Sequence, residues 1–173
     1  MVADKNVSVT FRINSADIEA LRDLAEEEEI SLNTLVAQVI RSFLEWDSTA
    51  AKAGMAPMQK DILKELFSHV PDDELKKMAM RTADAFADKL LIMTGSTDLD
   101  AVFFVMKNRN RRSGFAVREF SEPKGKKIMI QHDMGHKWSV FFSAYNERLI
   151  NNAGHAAKID TTDNSLLIRT FEK

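Results

Sequence analysis

The segment IQHDMGHKW contains the side chains best suited to binding a metal ion, His132, Asp133 and His136. Imidazole and carboxylate groups suit nickel, zinc or cobalt. His155 cannot join them within one chain, because the helix predicted between His136 and His155 separates them by about 24 Å. Two histidines and one aspartate are too few for a closed site. We therefore predict a cap and turn at a strand–helix junction, with no metal or cofactor.

No enzyme motif accompanies this segment. The chain has no glycine-rich phosphate loop, no zinc-protease histidine pair and no nucleophile elbow. It also has no cysteine, which excludes disulfides, thiolate metal sites and cysteine nucleophiles. Carboxylates are abundant, but no pair lies in an apolar setting that would tune its pKa. We predict that the protein is not an enzyme.

A second set of polar side chains alternates with apolar ones in VSVTFRIN, residues 7–14. The two-residue period predicts a strand with Ser8, Thr10 and Arg12 on one face. No further strand is predicted before residue 115, so the backbone of this one lacks a partner within the chain. We expect it to pair antiparallel with the same strand of a second copy about a two-fold axis. The three polar side chains then form the outer face of a two-stranded ribbon.

Two amphipathic helices complete an N-terminal unit, residues 1–46. Asn14 or Ser15 caps the first helix and Ser31 caps the second. A strand and two helices of this length bury too little core to be stable alone, which again predicts a homodimer. The following segment, DSTAAKAGMAP (residues 47–57), is small and polar and predicts a linker.

The remaining residues, 58–173, predict an α+β domain. Helices are expected at 58–70, 71–95 and 97–112, and a ββαββ antiparallel-sheet arrangement at 115–173. The helix of this last part carries four aromatic residues at helical spacing, namely Trp138, Phe141, Phe142 and Tyr145. They predict core packing against the sheet. The alternative is an apolar ligand pocket that methionines help to line.

The stretch VSVTFRINSADIEALRDLAEEEEISLNTLVAQVIRSF resembles the ribbon-helix-helix family of Arc- and MetJ-type repressors, over residues 5–46. The resemblance implies an intertwined dimer whose ribbon enters the major groove of DNA. By position, it implies that Ser8, Thr10 and Arg12 contact base edges, and arginine can bind guanine bidentately.

The same resemblance implies a phosphate site at the start of the second helix. Its residues are Ser31, Leu32, Asn33 and Thr34, whose backbone N–H groups and helix dipole would hold the anion. The unit departs from the family in the bend between the helices, where Glu28-Glu29 replace the frequent glycine. It is also acidic, since residues 1–46 hold four basic and nine acidic residues, a net charge of −5.

These observations predict a homodimeric, sequence-specific DNA-binding transcriptional regulator. Its C-terminal domain would sense a small-molecule effector or oligomerise, and two dimers on adjacent half-sites would form a tetramer. The domain order resembles that of nickel-responsive ribbon-helix-helix regulators in outline, without their cysteine-containing ligand pattern. The alternative is an interaction protein that does not bind DNA. Its N-terminal unit would only dimerise, and its C-terminal domain would bind a protein or small ligand.

Two further features bear on partners. The basic segment Lys107–Arg112 predicts a solvated helix end, with a second nucleic-acid contact as the alternative. The chain has neither a signal-peptide core at its N-terminus nor an apolar run near the roughly 18 residues of a membrane span. We therefore predict a cytoplasmic protein without a membrane partner.

Overall fold

The computed structural model describes residues 7–122 and 125–172 of the chain. The fold is mixed α+β and divides into two compact units, with the boundary between Leu44 and Glu45. No helix within the described ranges combines the length and the apolar character needed to cross a bilayer.

The first unit contains two helices, α1 (Ser15–Glu27) and α2 (Leu32–Ser42). Both predicted N-caps are confirmed. The side chain of Asn14 accepts a hydrogen bond from the N–H of Ala16 at 3.0 Å, and Ser31 Oγ accepts one from the N–H of Thr34 at 3.1 Å. Each cap satisfies an amide that has no acceptor within its helix.

The segment before α1, residues 7–14, has no regular secondary structure in the single chain. The predicted strand, and with it the ribbon-helix-helix arrangement, stays a prediction. The first residues of the stretch that resembles the family, Lys5 and Asn6, lie outside the described residues.

The bend between α1 and α2 places a glutamate in a glycine-like conformation. Glu29 has φ +54°, in the left-handed region, and is the only non-glycine residue with positive φ among those described. The N–H of the next residue, Ile30, donates to the carbonyl of Ala25 at 2.9 Å, which closes the helix end. The bend is therefore formed with a non-glycine residue in a strained backbone conformation.

A π-helical turn, Phe43–Asp47, contains the boundary between the units. The helices of the second unit follow it, namely α3 (Ser48–Ala50), α4 (Lys60–Ser68), α5 (Asp72–Asp84), α6 (Ala87–Thr94) and α7 (Leu99–Arg112). The single helix predicted over 71–95 is wrong, because it breaks at Ala85-Phe86. Phe86 is buried there with its ring edge against Tyr145, at a centroid distance of 6.1 Å. Tertiary packing thus overrides a continuous helical pattern.

Residues 47–57, the segment predicted as a linker, belong to the packed second unit. Ala50 and Ala53 are buried, and their spacing of three residues places both on one side of a helical turn. Gly54, with φ +75°, ends this turn, and the N–H of Met55 donates to the carbonyl of Ala50. The alanines and the glycine that suggested a flexible linker instead allow close packing and a helix end.

The predicted ββαββ order is confirmed by β1 (Ala116–Phe120), β2 (Lys127–Gln131), α8 (His136–Asn152), β3 (His155–Thr162) and β4 (Ser165–Glu172). The strands form one antiparallel sheet in the order β1-β2-β4-β3. Strands β2 and β4 are central, and their alternate residues Ile128, Ile130, Leu166 and Ile168 are buried. Helix α8 packs against α5 and the sheet.

Candidate functional site

The side chains predicted to contact DNA bases are all exposed. Ser8, Thr10 and Arg12 lie in the segment before α1, and no hydrogen bond or ion pair fixes their side chains within the described residues. The single chain thus leaves these groups open to solvent.

The apolar residues that alternate with them are exposed too. Val7, Val9, Phe11 and Ile13 keep 77%, 65%, 62% and 45% of their surface accessible. Exposed apolar residues also occur on the helices of this unit, namely Leu24, Val39 and Ile40. The described residues buried within the unit are only Ala25 and Leu35. The unit therefore presents much more apolar surface than it buries, which is typical of an interaction surface.

The predicted phosphate site lies at the first turn of α2. Ser31, Asn33 and Thr34 are exposed and Leu32 is half-buried. Ser31 Oγ is 2.8 Å from Thr34 Oγ1 and also accepts the N–H of Thr34. The first-turn amides of a helix have no acceptor inside it. The cap occupies the amide of Thr34, so those of Leu32 and Asn33 stay available for an anion.

The weak metal candidate of the second unit is divided among separate networks. His132 is buried, and its Nδ1 accepts the N–H of Met134 at 3.2 Å. Its Nε2 therefore carries the proton and donates to Ser139 Oγ at 3.0 Å, and Ser139 Oγ donates to the carbonyl of Thr162 at 2.6 Å. Burial lowers the pKa of His132 and so favours this neutral form.

The other two members have partners of their own. Both carboxylate oxygens of Asp133 accept from Lys60 Nζ, at 2.9 and 3.1 Å, which lowers the pKa of Asp133. His136 lies between Asp72 at 3.0 Å and Asp163 at 3.3 Å, and the hydrogen bond to Asp72 raises its pKa.

These networks confirm the predicted turn but not the predicted cap. The N-cap residue of α8 is Gly135, which has no side chain to cap the helix. The side chains of the segment instead brace the turn between β2 and α8. Within the described ranges, no group of three or more His, Cys, Asp or Glu side chains is arranged to hold a metal ion.

The basic segment Lys107–Arg112 ends α7, as predicted, but its charges are largely paired. Lys107 and Arg111 both reach Glu119, at 3.0 and 3.6 Å, and Arg112 pairs with Asp47. This pairing reduces the positive surface available to nucleic acid. Arg109, from the same segment, turns to the interior instead.

Arg109 is partly buried among aromatic rings. Its guanidinium carbon lies 4.6 Å from the ring centre of Phe142 and 5.0 Å from that of Tyr145, which are cation–π distances. One of its nitrogens is 3.5 Å from Asn146 Oδ1, at the limit of a hydrogen bond. Burial lowers the pKa of Arg109. Across the described ranges, no carboxylate pairs with it.

Arg109 lines a cavity of about 620 Å³ in the second unit. The walls come from the segment that was predicted as a linker and from α4, the end of α7 and the start of α8. They are mainly apolar and include Trp46, Met55, Met58, Leu63, Phe115 and Trp138. Its volume falls in the range of small-molecule sites, roughly 300–1,000 Å³.

The sequence analysis left core packing and a ligand pocket as alternatives for the aromatic residues of α8. Phe141 and Tyr145 are buried core residues, whereas Trp138 is half-buried and faces the cavity. Core packing is thus confirmed for Phe141 and Tyr145, whereas Trp138 lines the cavity. Arg109 and the wall at residues 46–58 were not predicted from the sequence.

Comparison with known proteins adds no relative. No protein-family model matches the chain, and a search of curated proteins gives no significant match.

Proposed function

We propose that this protein is a homodimeric DNA-binding transcriptional regulator whose first unit is a ribbon-helix-helix domain and whose second unit senses an effector. The observation that carries the proposal is the exposed, alternating apolar segment Val7–Ile13 directly before two capped helices. A single copy leaves these side chains in water. Pairing of two copies buries them and satisfies the backbone of both strands.

In the dimer, the polar face of the ribbon is left to contact DNA. Ser8 and Thr10 offer hydroxyl groups, and Arg12 offers a guanidinium that can bind guanine bidentately. The free amides of Leu32 and Asn33 would hold a phosphate and orient the ribbon in the groove. This division into base and backbone contacts is that of a sequence-specific DNA-binding protein.

The acidic charge of the first unit limits the nonspecific part of the affinity. The four consecutive glutamates, residues 26–29, lie at the end of α1 and in the bend, away from the proposed ribbon in sequence. Phosphate contacts must therefore come from a few local groups, and binding should weaken as salt rises.

The test is selection of bound sequences from a random DNA duplex library at near-physiological salt. Wild type is compared with Arg12→Ala and with Arg22→Ala. Arg22 is the matched control, since it lies on α1 in a surface pair with Glu19. We expect wild type and the control to enrich one roughly palindromic motif. A lost arginine–guanine contact costs about 1–3 kcal/mol, and a dimer on a palindromic motif loses two of them, so Arg12→Ala should bind that motif at least roughly 30-fold more weakly.

Two results would contradict the proposal. Unchanged affinity of Arg12→Ala for the enriched motif would remove Arg12 from base recognition. If well-folded wild-type protein enriches no motif, the result favours the alternative, in which the first unit dimerises without binding DNA.

A further inference from the structure

We propose that the cavity of the second unit binds a small organic acid, with Arg109 holding its carboxylate and the apolar walls enclosing its hydrocarbon part. This gives a ligand class to the effector role proposed above. It rests on the proposed function only for the consequence of binding, not for binding itself.

The first argument is the charge balance of the cavity lining. Its ionisable residues are Asp47, Lys60, Arg109 and Arg112. Arg112 pairs with Asp47, and Lys60 pairs with Asp133 outside the lining. Arg109 is thus the lining cation whose charge no carboxylate of the described residues offsets.

The second argument is the cost of that arrangement. A partly buried cation without a counter-ion is unfavourable, and contacts with aromatic faces offset only part of that cost. The contact of Arg109 with Asn146 Oδ1, at 3.5 Å, is at the limit of a hydrogen bond. An anionic acceptor in the cavity would therefore give the guanidinium a stronger partner.

The third argument is the match between one guanidinium and one carboxylate. The planar fork of arginine binds a carboxylate through two parallel hydrogen bonds. A phosphate monoester brings about −1.5 to −2 charges, and a single unpaired cation would leave part of that charge uncompensated in an apolar cavity. The walls from Trp46, Met58 and Trp138 favour an aliphatic or aromatic body over a sugar.

The chain carries its own reporter for this site. Its two tryptophans are Trp46 and Trp138, and both line the cavity. Occupation of the cavity should change the emission of both, so tryptophan fluorescence of the full-length protein measures binding directly and without DNA.

The experiment titrates the full chain with octanoate and 4-phenylbutyrate, and in parallel with octanol as an uncharged control. Concentrations reach about 10 mM, tenfold above the Kd of a complex worth about −4 kcal/mol. We expect a saturable emission change with at least one acid and about tenfold or more weaker binding of octanol. A charge-assisted hydrogen bond is worth about 1.5–3 kcal/mol, so Arg109→Gln should weaken binding of the acid roughly 10- to 150-fold.

Arg111→Gln is the matched control, because Arg111 lies on the same helix but outside the cavity, beside Glu119. Its affinity should equal that of wild type. The proposal is overturned if neither acid binds wild type, or if octanol binds as tightly as octanoate. It is equally overturned if Arg109→Gln binds the acid as wild type does. The wild-type comparison of acid with alcohol decides even if Arg109→Gln does not fold. No DNA is present, so a negative result here is distinct from a failure of DNA binding.

Discussion

Truncation of Phe11 tests the proposed dimer most directly. The side chain is 62% exposed in the single chain, and burial of a phenylalanine is worth about 1.5–3 kcal/mol. Completing that burial at an interface would therefore gain roughly 1.5 kcal/mol per chain. A symmetric dimer contains two copies, so Phe11→Ala should weaken association by about 3 kcal/mol, or roughly 150-fold in Kd.

The assay is subunit exchange between two fluorescently labelled pools, combined with sedimentation at serial dilution. The matched control is Thr10→Ala, the neighbouring position on the opposite face of the proposed strand. We expect rapid exchange and dissociation at higher concentration for Phe11→Ala, and wild-type behaviour for Thr10→Ala. Equal effects of the two substitutions would refute the two-residue period on which the ribbon rests. If neither substitution affects a dimer that does form, its interface lies elsewhere.

Two further predictions concern local structure. Glu29→Gly should be neutral to stabilising, because relief of the left-handed conformation, about 1–2 kcal/mol, exceeds the entropy cost of glycine, about 0.5–1 kcal/mol. Glu28→Gly, at φ −88°, should destabilise, so equal unfolding midpoints of the two variants would contradict the strain argument. The raised pKa of His136 means that the folded protein holds this proton more tightly than the unfolded chain does. The stabilisation of the folded state by protonated His136 is therefore complete below about pH 6.5 and is lost as pH rises through the folded pKa. The difference in thermal midpoint between wild type and His136→Gln should therefore shrink from about pH 6 to about pH 8, and a difference that grows would show the sign to be wrong.

The second unit shows which features could be predicted from sequence. The ββαββ order followed from alternating apolar residues bounded by turn residues, and these patterns are local. The break between α5 and α6 could not be predicted from local sequence, because Phe86 packs there against Tyr145, a residue distant in the chain. The wall at residues 47–57 was missed for a related reason. Alanine and glycine are compatible with both a loop and a closely packed turn, and only the surrounding core decides between them.

In the first unit, local features were predictable from the sequence, whereas the feature that depends on a second copy is not visible in one chain. Its caps at Asn14 and Ser31 were predicted from short-range chemistry and are confirmed. Its strand cannot be tested in one chain, because the hydrogen bonds that define a strand would come from a second copy. The exposure of Phe11 and its neighbours in the single chain is what the proposed dimer requires. Measurement of self-association is therefore the necessary next step for this unit.

Arg109 could have been found from the sequence by applying the helical period within the basic segment. Residues on a helix advance by about 100° each, so Lys107 and Arg111, four apart, share a face. Arg109 lies midway between them and points to the other side, three residues after the buried Met106 and seven after the buried Val102. A charged side chain at a position of the apolar stripe is unfavourable unless it pairs with an opposite charge, reaches solvent or binds a ligand. The composition of the segment suggested a solvated helix end, whereas the position of each charge in the helical period separates Lys107 and Arg111, which are paired at the surface, from Arg109, which lines the cavity.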